Sequence, residues 1–242
     1  MLEITLVPCL SDNYAYLIRD PAGAAVGIVD PSEASPVQEA LTDRGWHLTH
    51  IFNTHHHFDH TGGNLALKAA YGAKVIGPKA DRDRIPGIDE AYGEGDRLTF
   101  GTRVAQIFDI PGHTSGHIAL WFGEDQALFT GDTLFAMGCG RMFEGTPVQM
   151  WASLSKLAAL PAETRVYCGH EYTEANGRFA LAVEPDNPAL RHRMDAVKAL
   201  RAAGRPTIPS TIALELATNP FLRAGDVEKF AERRQAKDNF KG

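Results

Sequence analysis

The sequence predicts an α/β (α+β) part followed by a smaller helical part, and three observations predict it. Short apolar segments with strand patterning alternate with amphipathic helical segments as far as about residue 168, and helical periodicity takes over beyond it. Histidine or aspartate recurs at the ends of the strand-like segments: first a cluster at His55 to His60, then His113, Asp132 and His170. No apolar run approaches the roughly 18 residues that a membrane helix needs. The expected organisation is a mixed domain over residues 1–168 and a helical one over 169–242.

The first strands read Glu3 to Val7, Tyr14 to Arg19 and, after a turn at Asp20-Pro21-Ala22-Gly23, Ala25 to Asp30. The last is almost wholly apolar, as a central strand is, and ends in an acid, Asp30. Ser35-Pro36-Val37-Gln38 reads as an N-cap serine with Pro at N1 and Gln at N3, opening a helix that Gly45 closes. His47 to Asn53 reads as a strand, Leu65 to Tyr71 as a helix capped by Gly72, and Lys74 to Gly77 as a strand. A hairpin of Arg97 to Phe100 and Val104 to Phe108 leads into Pro111-Gly112-His113-Thr114-Ser115-Gly116-His117.

Strands Ile118 to Phe122 and Ala127 to Phe129 then lead to Thr130-Gly131-Asp132-Thr133. Thr146-Pro147-Val148-Gln149 is a second capping box, opening a helix to about Leu160, and Val166 to Cys168 is the last strand before Gly169-His170-Glu171-Tyr172. Helices follow over Thr173 to Val183, from Asn187-Pro188 to Gly204, and from Asp226 to about Lys237. The stretch holding Pro206, Pro209 and Pro220 reads as irregular.

Composition excludes several function classes. With 44% apolar and 22% charged residues the chain is an ordinary globular one, and its net charge of −6 offers no general attraction to nucleic acid or an anionic membrane. Three widely spaced cysteines, Cys9, Cys139 and Cys168, do not make a disulfide framework and fit a reducing compartment. The N-terminus alternates like a strand and lacks a basic signal region, so a cytoplasmic location is expected; a monomer is the expected state.

Thr54-His55-His56-His57-Phe58-Asp59-His60 packs four imidazoles and a carboxylate into seven residues between a strand and a helix, which disfavours a solvated His-rich loop. In extended chain, side chains two apart share a face, so His55 and His57 converge while His56 points away. The candidate ligands are therefore His55, His57 and His113 for one metal ion, and Asp59, His60 and His170 for another, with Asp132 bridging. Asp30 is either a turn residue or an acceptor that orients a ligating imidazole.

Nitrogen and carboxylate donors without thiolate suit two divalent ions, Zn(II) first and Fe or Mn as alternatives. Two such ions, about 3.5–4 Å apart, lower the pKa of a bridging water to about 7, so a hydroxide nucleophile is available at neutral pH. Asp59 and Asp132 are then the catalytic carboxylates.

The cluster together with His113, Asp132 and His170 resembles the metallo-β-lactamase superfamily, which implies an αββα sandwich with metals at the strand ends. Thr54 to His57, Pro111 to His117, Thr130 to Phe135, Gly138-Cys139-Gly140-Arg141, Phe143-Glu144-Gly145-Thr146, Cys168 to Tyr172 and Asn219-Pro220-Phe221 are similar to the hydroxyacylglutathione hydrolase (glyoxalase II) family. That resemblance covers nearly the full length. It implies hydrolysis of S-D-lactoylglutathione to glutathione and D-lactate, the second step of methylglyoxal detoxification.

A thiolate of pKa near 8.5 leaves without prior protonation, so the reaction needs no general acid. The resemblance also implies that Arg234 and Lys237, before the Lys237-Asp238-Asn239-Phe240 ending, grip the glycine carboxylate, and that Arg141, Phe143 and Tyr172 contact substrate. Phe143 stands where some members have Tyr, so one hydroxyl contact is missing and weaker affinity is expected.

His56 and His117 match family motifs without being ligands there and read as packing or orienting groups; His47, His50 and His192 read as ordinary. The alternatives are a mono-iron persulfide dioxygenase, another hydrolase of the fold such as a lactonase, and a metal-binding module without activity. The second-site set Asp59, His60 and His170 and the helical tail argue against the first.

Overall fold

The computed structural model describes residues 1–242. The chain begins with β1 (Glu3–Cys9), β2 (Asn13–Asp20), β3 (Ala25–Val29), α1 (Ala34–Arg44), β4 (His50–Phe52), the single turn α2 (Phe58–Thr61), α3 (Asn64–Tyr71), β5 (Lys74–Pro78) and β6 (Glu90–Tyr92). The six strands form one sheet in chain order; β1 to β3 are antiparallel, and β3 to β6 run parallel. Next come β7 (Arg97–Phe100), β8 (Arg103–Asp109), β9 (Ile118–Phe122), β10 (Ala127–Gly131), the small hairpin β11 (Leu134–Phe135) and β12 (Gly138–Cys139), α4 (Pro147–Ala158) and β13 (Arg165–Cys168). The remainder is α5 (Thr173–Val183), α6 (Pro188–Ala202), β14 (Ser210–Thr211), α7 (Ile212–Thr218) and α8 (Val227–Asp238). The second sheet has the order β14-β13-β10-β9-β8-β7.

Period-two alternation builds two interfaces from each strand. On β2, Tyr16 and Ile18 face the second sheet and pack in one core with Phe52, Phe100, Leu120, Phe122, Phe129 and Tyr167. Ala15 and Leu17, between them, join Ile28, Ile51 and Val75 in a second core against Val37 and Leu41 of α1 and Leu67 of α3. The outer face of the second sheet packs Ala119, Leu128 and Val166 against Met150 and Leu154 of α4 and against Phe221 and Phe230 of the tail. The layers are thus helix, sheet, sheet, helix. Three of the four parallel connections, β3-α1-β4, β4-α3-β5 and β10-α4-β13, use a helix as a crossover, which puts the C-terminal ends of those strands at one edge.

Three local expectations are corrected. Helix α1 starts at Ala34 with Glu33 as N-cap and no side-chain capping bond, because the Glu33 carboxylate accepts the Leu10 amide at 2.7 Å and Ser35 faces Glu39 instead. The strand read at His47 to Asn53 is only His50–Phe52, the residues paired with β3 and β5. The proline-rich stretch is not wholly irregular: it contains β14 and α7, whose N-cap Thr211 accepts the Leu214 amide at 3.2 Å. By contrast Thr146 and Gln149 do form a reciprocal capping box on α4, and Gly45 and Gly72 end α1 and α3 in the left-handed conformation.

Helix α7 fastens the tail to the body. Glu215 is fully buried: one oxygen meets Arg193 at 2.6 Å, and the other accepts the Met137 amide at 2.8 Å and Asn219 Nδ2 at 3.0 Å. Asn219 also donates to the Gly138 carbonyl at 2.9 Å and accepts the Phe221 amide at 3.0 Å, which explains the Asn219-Pro220-Phe221 run. Removing one partner of a buried ion pair leaves the other uncompensated and costs about 3–5 kcal/mol. Glu215→Ala is therefore expected to lower the urea midpoint by the equivalent of about 3 kcal/mol or more, and a loss under 1 kcal/mol would show that the pair holds nothing together.

Candidate metal centre

Each of the charged and imidazole groups singled out in the sequence follows a strand. Asp30 ends β3, His55 and His57 follow β4, Asp59 and His60 lie in α2, His113 follows β8, Asp132 follows β10 and His170 follows β13. The fold brings them to one place. Ligand atoms of His55, His57 and His113 lie within 4.8 Å of one another, as do those of Asp59, His60 and His170. Asp132 stands between the two groups, with Oδ2 3.5 Å from His113 Nε2 and 3.3 Å from His170 Nε2, and Oδ1 3.4 Å from His60 Nε2. The approach is so close that a Cβ on Gly169 would lie 2.4 Å from Asp132 Oδ1, so the residue before His170 has no side chain.

Outer hydrogen bonds aim the imidazoles. Asp30 accepts the Thr54 amide and hydroxyl at 2.8 and 2.7 Å, and Thr54 Oγ1, its proton thus used, accepts from His55 Nδ1 at 3.0 Å. Asp30 also accepts from His60 Nδ1 at 3.1 Å. His113 Nδ1 donates to the Arg141 carbonyl at 2.8 Å, and His170 Nδ1 to Asp12 at 2.8 Å. With each Nδ1–H committed outward, the Nε2 lone pairs of His55, His60, His113 and His170 point inward. His57 is the exception, presenting Nδ1 3.0 Å from His113 Nε2.

His55 Nε2, His60 Nε2 and Asp132 Oδ1 are buried and have no hydrogen-bond partner. Buried polar atoms are rarely left so, and inward-facing nitrogen and carboxylate donors without thiolate are the set divalent cations take. The residues therefore fit a pair of such ions.

Charge follows the same division. Burial holds His55 well below its ordinary value, and burial with His113 beside it lowers His57 to about 4. Burial would lower His170 as well, but Asp132 and Asp59 outweigh it and raise it to about 10; at His60, too, burial is outweighed, and Asp132 and Asp30 drive it well above its ordinary value. Asp132, which burial alone would raise, is driven well below the usual carboxylate range by His60 and His170.

A cleft of about 500 Å³ opens on this centre, with His57, Asp59, His113, Asp132 and His170 along its floor. Arg141, Phe143, Tyr172, Arg234 and Lys237 line its walls. Arg141 and Phe143 are exposed, and Tyr172 stacks on His170 with ring centres 4.7 Å apart and planes 4° apart. Arg234 is buried, donating to the Cys139 carbonyl and to Asp238, each at 2.8 Å. Lys237 makes one long hydrogen bond, 3.3 Å to the Ala175 carbonyl, and lies 5.6 and 5.7 Å from the ring centres of Phe179 and Phe240.

His56 points away from the centre to Asp81, 2.8 Å distant, and His117 stacks on His55 and accepts the Asp132 amide at 3.1 Å. Asp12 and Asn13 escaped sequence reasoning. Asn13 donates to Asp59 Oδ2 at 3.0 Å, yet Asp12 lies in the turn between β1 and β2 and Asn13 opens β2, where a polar pair carries no signal, 158 residues from His170 in the case of Asp12.

A family model for the Metallo-beta-lactamase superfamily matches residues 11–170, and one for the Hydroxyacylglutathione hydrolase C-terminus matches residues 171–240. A hydroxyacylglutathione hydrolase from Methylococcus capsulatus is 56% identical over 256 aligned positions covering 100% of both chains. One from Rhodospirillum rubrum is 53% identical over 253, covering 99% of each. Among solved structures, ETHE1 from Myxococcus xanthus is similar with a TM-score of 0.74 and 28% identity, covering 97% of this chain and 90% of that one. TTHA1623 in a di-iron-bound form gives 0.65 and 27%, covering 89% and 98%.

Partners that orient a ligating imidazole typically matter 10- to 100-fold for metal affinity. Asp12→Ala is expected to weaken retention of one of two ions by about that factor in a chelator competition, with the other ion unaffected; equal retention of both would remove Asp12 from the centre.

Proposed function

The chain belongs to the metallo-β-lactamase superfamily and, within it, to the hydroxyacylglutathione hydrolases, and from that premise we propose which of its residues carry out the hydrolysis. It is a thioester hydrolase with a two-metal site. Water adds to the acyl carbon, the carbon–sulfur bond breaks, and glutathione and a 2-hydroxy acid leave.

His55, His57 and His113 would hold one ion and Asp59, His60 and His170 the other, and Asp132, facing both sets, would serve both. The orphaned atoms His55 Nε2, His60 Nε2 and Asp132 Oδ1 are the observation that carries this assignment. Zinc is the ion we favour, on the nitrogen-rich donor set. Divalent cations in such a site supply a water acidic enough to ionise near neutral pH and Lewis acidity toward a carbonyl.

The residues of the chain do the rest. The outward bonds at Nδ1 aim the Nε2 atoms of His55, His60, His113 and His170 inward, and Asp132 keeps its negative charge at the position both sets face. Arg141 and Lys237, with Arg234 behind them, present positive charge to the glutathione carboxylates, and Tyr172 and Phe143 flank the acyl end. No group is required to protonate the departing thiolate. A reducing, cytoplasmic setting, where glutathione is abundant as the thiol, is supported by three buried, unbridged cysteines.

The deciding assay uses S-D-lactoylglutathione and follows thiol release. The wild-type protein is expected to turn over and to carry about two ions per chain, and Asp132→Ala to lose both ions and at least 10³-fold in kcat/KM, since both sets lose their shared anion; an active Asp132→Ala would sink the assignment. Replacing Lys237 by Ala is expected to raise KM for the glutathione thioester about tenfold and to leave a thioester lacking the peptide unchanged. Equal effects on the two substrates would take Lys237 out of the peptide site.

A further inference from the structure

One constellation beside the metal centre supplies none of its candidate ligands, yet it ties together loops that do. It lies behind the cleft, where His56, Asp81, Arg84, Ser115 and Glu144 meet. Arg84 and Glu144 form a two-pronged ion pair: Arg84 Nη1 lies 3.1 Å from Glu144 Oε2, and Nη2 contacts Oε1 more closely. Glu144 Oε2 also accepts both the amide and the hydroxyl of Ser115, at 2.8 and 2.9 Å. Arg84 in turn meets buried Asp81 at 3.3 Å and touches His56 Nε2, while His56 Nδ1 is 2.8 Å from Asp81. A Cβ on Gly116 would lie 2.3 Å from Asp81 Cγ, so the loop bearing His113 is pressed directly against this group.

The backbone repeats the connection. Phe143 donates its amide to the His113 carbonyl at 3.3 Å, and Gly145 donates to the Gly112 carbonyl at 3.1 Å. The loop so held, from Gly140 to Gly145, carries Arg141 and Phe143 into the cleft, and its Arg141 carbonyl accepts from His113 Nδ1. The Phe143 ring lies 5.2 Å from the His113 ring and 5.9 Å from the His57 ring.

We infer that Glu144 is a positioning residue: clamped by Arg84 and seated on Ser115, it fixes the Gly140 to Gly145 loop against the His113 loop and so sets how tightly the cleft seats its thioester. An exposed ion pair by itself contributes little. This one differs because the same carboxylate, paired with Arg84 through both oxygens, accepts two further hydrogen bonds from Ser115 in the His113 loop, against which it holds its own loop. It also accounts for His56, which the metal centre does not use: its ring braces Arg84 from one side and Asp81 from the other.

The proposal rests on the hydrolase reading, so turnover of S-D-lactoylglutathione by the wild-type protein is established first; absence of turnover there would overturn that reading, not this one. Glu144→Ala is expected to raise KM about tenfold, and the inhibition constant of S-methylglutathione by a similar factor, with kcat within about threefold and metal content unchanged. Glu144→Gln keeps an oxygen for Ser115 but loses the ion pair, and is expected to fall between wild type and Ala; Arg84→Ala should match it. The proposal is overturned if KM and the inhibition constant stay at wild-type values in all three variants, or if kcat and bound metal fall while KM holds. Circular dichroism and melting of Glu144→Gln distinguish a misplaced loop from a misfolded chain: an unfolded Gln variant with a normal KM in Arg84→Ala also counts against it.

Discussion

The structure turns on one buried carboxylate. Asp132 sits within 3.5 Å of imidazole nitrogens from three separate loops, deep in a place where an unpaired anion is costly. The fold tolerates it because it also gathers cation-seeking donors around it. Each of four inward Nε2 atoms is set by a bond on the far side of its ring, from Asp30 through Thr54, from Asp30 directly, from the Arg141 carbonyl and from Asp12. Those outer bonds belong to different strands, so the geometry of the centre is a property of the sandwich and not of the His55 to His60 segment alone.

The two sheets supply that geometry by a simple division. Parallel crossovers bring β3, β4, β10 and β13 to end at one edge, and the short segments after them carry the reactive groups. The helical tail then closes one wall. It is joined to the body through the buried Glu215 and Arg193 pair and through Asn219, which reaches the β11–β12 hairpin beside the cleft.

Much of this was legible in the sequence because it is local. The spacing of His55, His57, Asp59 and His60, the acids and imidazoles after apolar runs, the capping box at Thr146 and the glycine C-caps each express themselves within a few residues. What was not legible depends on distant partners. Glu33 replaces Ser35 as a helix start because its side chain is drawn to the Leu10 amide, and α7 forms among prolines because Glu215 is anchored by Arg193 and Met137. Asp12 and Asn13 look like any polar turn until β1 and β2 are folded against the second sheet. The family resemblance implies that Arg234 grips substrate; in the fold it lines the cleft with its guanidinium donating to the Cys139 carbonyl and Asp238, a placement that depends on helix α8 lying over β12, which no local pattern announces.

The groups of the metal centre all precede Glu171, and the basic wall supplied by α8 lies more than sixty residues later, on one amphipathic segment that makes no ligand. Part of the substrate wall is thereby written in a stretch of polypeptide apart from the metal ligands, while Arg141 and Phe143 stay among them. A change confined to α8 therefore alters the basic wall of the cleft and leaves every imidazole of the centre at its own strand end.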